Sequence, residues 1–74
     1  MDLLRLVGRN VRRMRGARGW SQEQLAEKSD LSQQFISRIE AGLQNPTLKS
    51  LGRLSDALGV TAASLLDPSE AAEN

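Results

Sequence analysis

Four polar side chains that can hydrogen-bond to nucleic-acid bases lie close together in the middle of the chain. They are Gln33, Gln34, Ser37 and Arg38. A glutamine can form paired hydrogen bonds with adenine and an arginine with guanine, whereas a serine suits a contact through water or with a thymine methyl group. At helical spacing Ile36 and Ile39 share one side of the segment, which leaves the polar set pointing outward. We expect these side chains to read base edges; the alternative for each is a solvated surface residue.

The stretch from 21 to 45 must position those side chains, and its pattern predicts two short helices joined by a three-residue turn. Ser21 can cap the first helix, and Gln24 follows at the spacing of a capping box. Ser32 can cap the second helix, the one that carries the polar set. Leu25 and Ala26 supply the inward face of the first helix.

Three further helices are predicted around this pair from apolar spacing. The first runs from about Leu3 to Ala17, with Leu3 or Leu4, Val7, Val11 and Met14 inward. The fourth runs from a Thr47 cap to about Leu58, with Leu48, Leu51, Leu54 and Leu58 inward. A short fifth helix begins at Thr61 and ends near Leu66, before Asp67-Pro68.

Five helices without a strand signal predict a single all-α domain over residues 1–67. Residues 68–74 are small or acidic and lack an apolar face, so we expect a flexible acidic tail. A chain this short buries only about 60% of the surface that its unfolded form exposes. Association with a second copy is a usual remedy for such a marginal core.

Charge is distributed unevenly along the chain. Residues 1–20 contain six arginines and one aspartate, whereas residues 54–74 contain four acids and no cation. A basic first helix beside the polar set suits a polyanion, and the acidic end would lie away from it. The alternative is that the arginines form only a solvated helix face; those concerned are Arg9, Arg12, Arg13 and Arg18.

The composition argues against several classes of protein. Because the chain has no cysteine and no histidine, it offers neither a disulfide nor a zinc site, and we expect no metal and no cofactor. Enzymatic acid-base or nucleophilic chemistry lacks a partner for Asp30, Glu40 or Asp56, which lie in unrelated helical settings. Apolar runs are too short to span a bilayer or to form a secretion signal. We therefore expect a cytoplasmic, non-enzymatic protein.

The run Ile36-Ser37-Arg38-Ile39-Glu40-Ala41-Gly42, with Ala26 and Leu31 before it, resembles the Cro/repressor-like helix-turn-helix family of the xenobiotic-response-element type. The segments Asn45-Pro46-Thr47-Leu48 and Ala57-Leu58-Gly59-Val60 are similar to the loop and fourth-helix end of that family. The resemblance covers roughly residues 5–66 and implies a lambda-repressor-like domain. Asp30 stands where the family usually has glycine, and aspartate tolerates left-handed backbone angles better than most residues.

The resemblance also implies which residues hold the DNA backbone. Gln22 stands at the helix start where the family anchors a phosphate, beside Ser21, whose hydroxyl is alternatively used in capping alone. In the loop after the second helix of the motif, backbone amides and the Asn45 side chain would hold a second phosphate, and Lys49 would assist through its charge. The implied phosphate-binding set is Ser21, Gln22, Leu43, Gln44, Asn45 and Lys49.

Two structural contacts are expected as well. The family typically pairs an arginine with a glutamate at positions that match Arg15 and Glu40, and such a pair would orient the reading helix. A dimer interface is expected around Val60, Leu65 and Leu66, if these side chains are exposed. The alternative is that all three close the monomer core.

The expected function is sequence-specific double-stranded DNA binding by a small bacterial or phage transcription regulator, a repressor or controller that occupies a palindromic operator as a homodimer at the nucleoid. The alternative is a helical protein-interaction module, such as an antitoxin-like partner binder, with the same fold. The six N-terminal arginines and the polar set favour DNA.

Overall fold

The structure is a computed structural model that describes residues 2–69. Its helices begin at residues whose side chains cap them. Four α-helices follow one another: α1, Leu3–Ala17; α2, Gln22–Ser29; α3, Gln33–Glu40; and α4, Leu48–Leu58. A 3-10 helix, Ala62–Leu66, comes after them, and the described residues contain no strand. The all-α prediction is therefore confirmed. Residues 70–74 of the predicted tail lie outside the described residues.

The predicted count of five α-helices is wrong at its last member. Ala62–Leu66 is a 3-10 helix of five residues, capped by the Thr61 side chain. A segment this short gains few α-helical hydrogen bonds, and Pro68 restricts the backbone of the residue before it, so the tighter i to i+3 turns suffice.

The caps that the sequence indicates are present. Ser21 and Gln24 form a reciprocal capping box, in which the Ser21 hydroxyl accepts from the Gln24 amide at 3.0 Å and the Ser21 amide donates to the Gln24 side chain at 2.8 Å. Ser32 and Thr47 cap α3 and α4. Asp30 ends α2 with φ 59° and ψ 36°. This is the left-handed conformation expected at a position where the family usually has glycine.

One core joins all five helical segments. Helix α1 packs against α3 and the 3-10 helix, while α2 packs against α3 and α4. Ile36 and Ile39 of α3 are fully or almost fully buried at the centre of this arrangement. The other members of the core are Val7, Val11, Met14, Leu25, Ala26, Leu51, Leu54, Leu58 and Leu65.

Leu48, which was predicted to point inward, is exposed, and so is one of the two alternatives at the start of α1. Leu48 is 88% exposed because, at 100° per residue, it lies about 90° away from the middle of the buried stripe formed by Leu51, Leu54 and Leu58. Of the two alternatives at the start of α1, Leu3 is 58% exposed and Leu4 is half-buried, while Leu6, which was not predicted to face inward, is buried.

A polar side chain that the sequence did not indicate fastens the 3-10 helix to α1. Asn10 is fully buried, and its Nδ2 donates to the carbonyl oxygens of Leu65 at 2.9 Å and Asp67 at 3.2 Å. A buried amide in this position satisfies carbonyl groups at the end of a short helix, which would otherwise lack partners.

Gly8 permits a close approach between α1 and the end of α3. A Cβ atom at this position would overlap the Ile39 carbonyl oxygen and lie 3.0 Å from that of Glu40. Gly16, in the same helix, has open space around it. Gly8 is therefore required by packing, whereas Gly16 only weakens the helix.

We predict opposite effects of alanine at these two glycines. Gly8→Ala should lower the free energy of unfolding, because backbone must move to admit the methyl group, although alanine favours a helix. Gly16→Ala should raise it by about 0.5–1 kcal/mol, the difference in helix propensity. Urea denaturation followed by circular dichroism measures both, and equal stabilisation by the two variants would show that α1 and α3 are not in close contact at Gly8.

Candidate nucleic-acid interface

Helix α3 separates an apolar buried side from a polar exposed side. Ile36 and Ile39 are 0% and 1% exposed, and Phe35 is half-buried at the border. All four polar side chains predicted to read bases are exposed and therefore accessible to a ligand: Gln33, Gln34, Ser37 and Arg38. Their donors and acceptors match the hydrogen-bonding groups that bases present in the major groove.

Arg38 is held by the loop that follows its helix. Its Nε donates to Oε1 of Gln44 at 3.2 Å, and its NH2 donates to the Leu43 carbonyl oxygen at 3.3 Å. Both acceptors are neutral, so neither contact cancels the charge of the guanidinium.

An ion pair joins the end of α3 to α1. Arg15 Nε and Glu40 Oε2 are 2.6 Å apart, and Arg15 NH2 donates to Oε1 at 2.9 Å, so the expected pair is present in a two-pronged geometry. The side chains are only 16% and 4% exposed. Hydrogen bonding to Glu40 raises the pKa of Arg15 above its ordinary value and, together with the charge of Glu40, outweighs the opposing effect of burial.

The same carboxylate also binds the first residue of α2. Gln22 donates from Nε2 to Glu40 Oε1 at 3.1 Å, and the third arm of Arg15, NH1, donates to the Trp20 carbonyl oxygen at 2.7 Å. An amide nitrogen has two hydrogens, so Gln22 keeps one donor for a phosphate. Glu40 thereby sets the position of a residue predicted to bind the DNA backbone.

These residues line one open groove of about 290 Å³ on the surface. Gln22 and Ser37 both line it, so a predicted phosphate ligand and a predicted base-reading residue share this groove. The full lining is Arg12, Arg15, Gln22, Ser37, Glu40 and Ala41. The exposed guanidinium of Arg12 adds positive charge to the groove.

The other predicted phosphate ligands are available to different degrees. Ser21 uses its oxygen as an acceptor in the capping box, which leaves its O–H hydrogen as a donor. Asn45 and Lys49 are exposed in the loop and in the first turn of α4. Gln44 is half-buried, and its side-chain oxygen faces Arg38.

The predicted role of the Leu43 amide is wrong. It donates to the Arg38 carbonyl oxygen at 2.9 Å, next to Gly42, whose φ of 74° ends α3. The group is consumed in closing the helix, as in other helices that end at a left-handed glycine.

Arg18 does not lie on a purely solvated helix face, which was the alternative considered for the N-terminal arginines. Its NH1 donates to the Met14 carbonyl oxygen at 2.7 Å, and its NH2 donates to that of Leu58 at the end of α4. Arg9 and Arg12 remain exposed on α1. Part of the N-terminal charge is therefore structural, and part is presented on the surface.

A helix-turn-helix family model matches residues 11–65, which include α2, α3 and the turn between them. The chain belongs to the Cro/repressor-like helix-turn-helix family. This membership agrees with the expectation drawn from the Ile36 to Gly42 run.

Relatives of this helix-turn-helix chain cover most of its length. It is 41% identical over 70 residues to the uncharacterized HTH-type transcriptional regulator y4dJ of Sinorhizobium fredii, spanning 95% of this chain and 91% of y4dJ. It is 43% identical over 63 residues to the control protein C.BamHI of Bacillus amyloliquefaciens, spanning 84% and 78%. The crystal structure of SinR, a master regulator for biofilm formation, in complex with DNA has a TM-score of 0.79 at 35% identity, covering 82% of this chain and 98% of that one.

The residues predicted to form a dimer interface differ in exposure. Leu65 is fully buried against the core, so the prediction is wrong for its side chain: the 3-10 helix turns it inward, where Asn10 holds the backbone. Val60 is half-buried against the core, and Leu66 is 41% exposed.

The helix-turn-helix chain offers neither a metal cluster nor a membrane span in the part that the structure describes. No group of three or more acidic side chains there could hold a metal ion. No described helix has the length and apolar character to cross a bilayer.

We predict that removing the Glu40 carboxylate destabilises the domain. Glu40→Ala leaves the guanidinium of Arg15 and the amide of Gln22 without their acceptor, at a cost of about 2–4 kcal/mol for a pair that water partly reaches. Glu27→Ala, on the exposed side of α2, should cost less than about 0.5 kcal/mol. Thermal and urea denaturation compare the two variants, and matching stabilities would mean that Glu40 behaves as an ordinary surface acid.

Proposed function

We propose that this chain is a sequence-specific, double-stranded DNA-binding transcriptional regulator of the repressor or controller type. The observation that carries this proposal is the exposed polar side of α3, held next to Gln22 by the Arg15–Glu40 pair. Relatives named as transcriptional regulators and control proteins support it, as does the likeness to SinR in its DNA complex.

Two kinds of contact with DNA are proposed, one to the bases and one to the phosphates. Side chains of α3 would enter the major groove and read bases, chiefly Gln33, Gln34 and Arg38. Gln22 at the start of α2, with Ser21, Asn45 and Lys49, would bind phosphates and fix the register of the protein on the duplex. Arg12, at the edge of the same groove as Gln22, would add a phosphate contact through its charge.

We further propose that the chain binds a palindromic operator as a homodimer. Val60 and Leu66 support this proposal, because they leave apolar surface uncovered near the C-terminal end of the described residues. A two-fold axis through such a patch would repeat α3 at a second half-site.

Mutations should separate the base-reading residues from the phosphate ligands. Arg38→Ala should cost about 1–3 kcal/mol on the preferred site and relax the preference at one base position, whereas Gln22→Ala should weaken binding about equally on all sequences. Selection from a random DNA pool with the purified protein, followed by affinity measurements at several salt concentrations, tests both.

The outcome of the selection also decides between classes of protein. An enriched inverted repeat with salt-dependent affinity supports the proposed function. If no sequence is enriched and no duplex is bound at low salt, the protein is a partner-binding module with a helix-turn-helix fold. If Arg38→Ala selects the same motif as the unmodified chain, Arg38 does not read a base.

The dimer is tested by one exposed leucine and a matched control. Leu66→Glu should shift the protein from dimer to monomer in analytical ultracentrifugation at micromolar concentration, because the charge would be buried in an apolar interface. Leu48→Glu, at a leucine that is 88% exposed at the opposite end of α4 from Val60, should leave the dimer intact. A chain that is monomeric without either change would contradict the proposed dimer.

A further inference from the structure

The contacts of Arg38 with the loop involve only one edge of its guanidinium. The two donors used are Nε, to Gln44, and NH2, to the Leu43 carbonyl. Hydrogens on these two nitrogens point in the same direction from the planar group, so the loop occupies a single edge.

The other edge, formed by NH1 and the second hydrogen of NH2, is the one that can bind a ligand. It presents two parallel N–H groups, the arrangement that pairs with O6 and N7 of guanine. Arg15 also donates from its Nε and NH2 edge, but its acceptor is the charged carboxylate of Glu40. Arg15 is thereby neutralised in a structural pair, whereas Arg38 keeps its full charge beside two neutral acceptors.

We propose that Gln44 is a specificity-determining positioning residue, which holds Arg38 with its free edge directed at a guanine. This inference rests on the proposed function. It adds to the phosphate contact that the family resemblance implies for the Gln44 backbone amide, because the proposed role belongs to the side-chain oxygen, which accepts from Arg38. An arginine held in advance loses less rotational freedom on binding than one that is free in solution.

The Leu43 carbonyl alone would hold Arg38 poorly. Leu43 is 65% exposed, and a single bond of 3.3 Å to NH2 leaves the guanidinium free to rotate about it. The second bond, from Nε to Gln44, fixes the plane of the group. Gln44 is half-buried, so its own side chain is restricted, as a positioning residue requires.

Three loop variants test this role through the base preference at the position that Arg38 contacts. Gln44→Leu keeps a similar volume but lacks the acceptor, and we expect the guanine preference there to fall about 2- to 10-fold, the typical net value of one solvent-exposed hydrogen bond. Arg38→Ala should lower it by about 5- to 150-fold. Gln44→Glu keeps an acceptor and should retain the preference, while the added negative charge weakens binding to all sequences.

Asn45→Leu is the matched control, since Asn45 is exposed in the same loop. It should weaken binding without changing any base preference. A readout that needs no DNA is the mobility of the Arg38 Nε–H group by NMR relaxation, which Gln44→Leu should increase and Asn45→Leu should not. Melting temperatures establish that each variant is folded.

The outcomes separate this inference from the function on which it rests. If the unmodified protein selects a motif and Arg38→Ala relaxes one position, but Gln44→Leu weakens binding equally on every sequence, the Gln44 side chain contributes only to overall affinity and the inference is wrong. An unchanged Nε–H mobility in Gln44→Leu also overturns it. If the unmodified protein selects no motif, the proposed function fails and the inference fails with it.

Discussion

The arrangement of the proposed DNA-binding surface depends on the ion pair between Arg15 and Glu40. One carboxylate, 4% exposed, accepts from two nitrogens of Arg15 and from Gln22, and Arg15 also donates to the Trp20 carbonyl. These bonds tie the end of α1, the connection to α2 and the end of α3 at one point. A buried ion pair is weak evidence for stability, since apolar residues of similar volume often perform as well. Its consequence here is orientation: α3 is fixed relative to the residue that is proposed to bind phosphate.

Close backbone packing makes that orientation possible. Gly8 lets α1 approach the carbonyl groups of Ile39 and Glu40 at the end of α3. A larger residue would push the helices apart and lengthen the distance that Arg15 must bridge. The glycine and the ion pair therefore act together: the first allows contact between the backbones, and the second selects one arrangement of them. Within the proposed function, an error in this angle would displace every base-reading side chain of α3 at once.

The features that the sequence predicted correctly are those that depend on neighbours along the chain. Caps at Ser21, Ser32 and Thr47 need only residues within one turn, and the burial of Ile36 and Ile39 follows from helical spacing. Apart from the Arg15–Glu40 pair, side chains that bond to distant parts of the chain were missed or misplaced.

The missed residues show why. Asn10 is polar in a helix, and nothing in its neighbourhood indicates that it reaches carbonyl groups 55 positions later, at Leu65. Leu48 has the spacing of a core residue but lies at the edge of the stripe that other helices cover. The contact between Arg38 and Gln44 depends on the path of a loop, which residue types alone do not fix. Arg15 and Glu40 are the exception, because the family resemblance pairs them, although 25 positions separate them.

Helix α1 connects the two surfaces that the proposed regulator needs. Gly8 and Arg15 contact α3, whereas Asn10 holds the 3-10 helix that carries Leu66. Because Leu65 is already buried in the monomer, the 3-10 helix is docked before any partner binds, and a dimer would join preformed surfaces. The distance and angle between two copies of α3 would then be transmitted through α1 and not through a flexible segment. This rigidity suits recognition of half-sites at one fixed spacing, since the energy of the second contact is lost when the spacing changes.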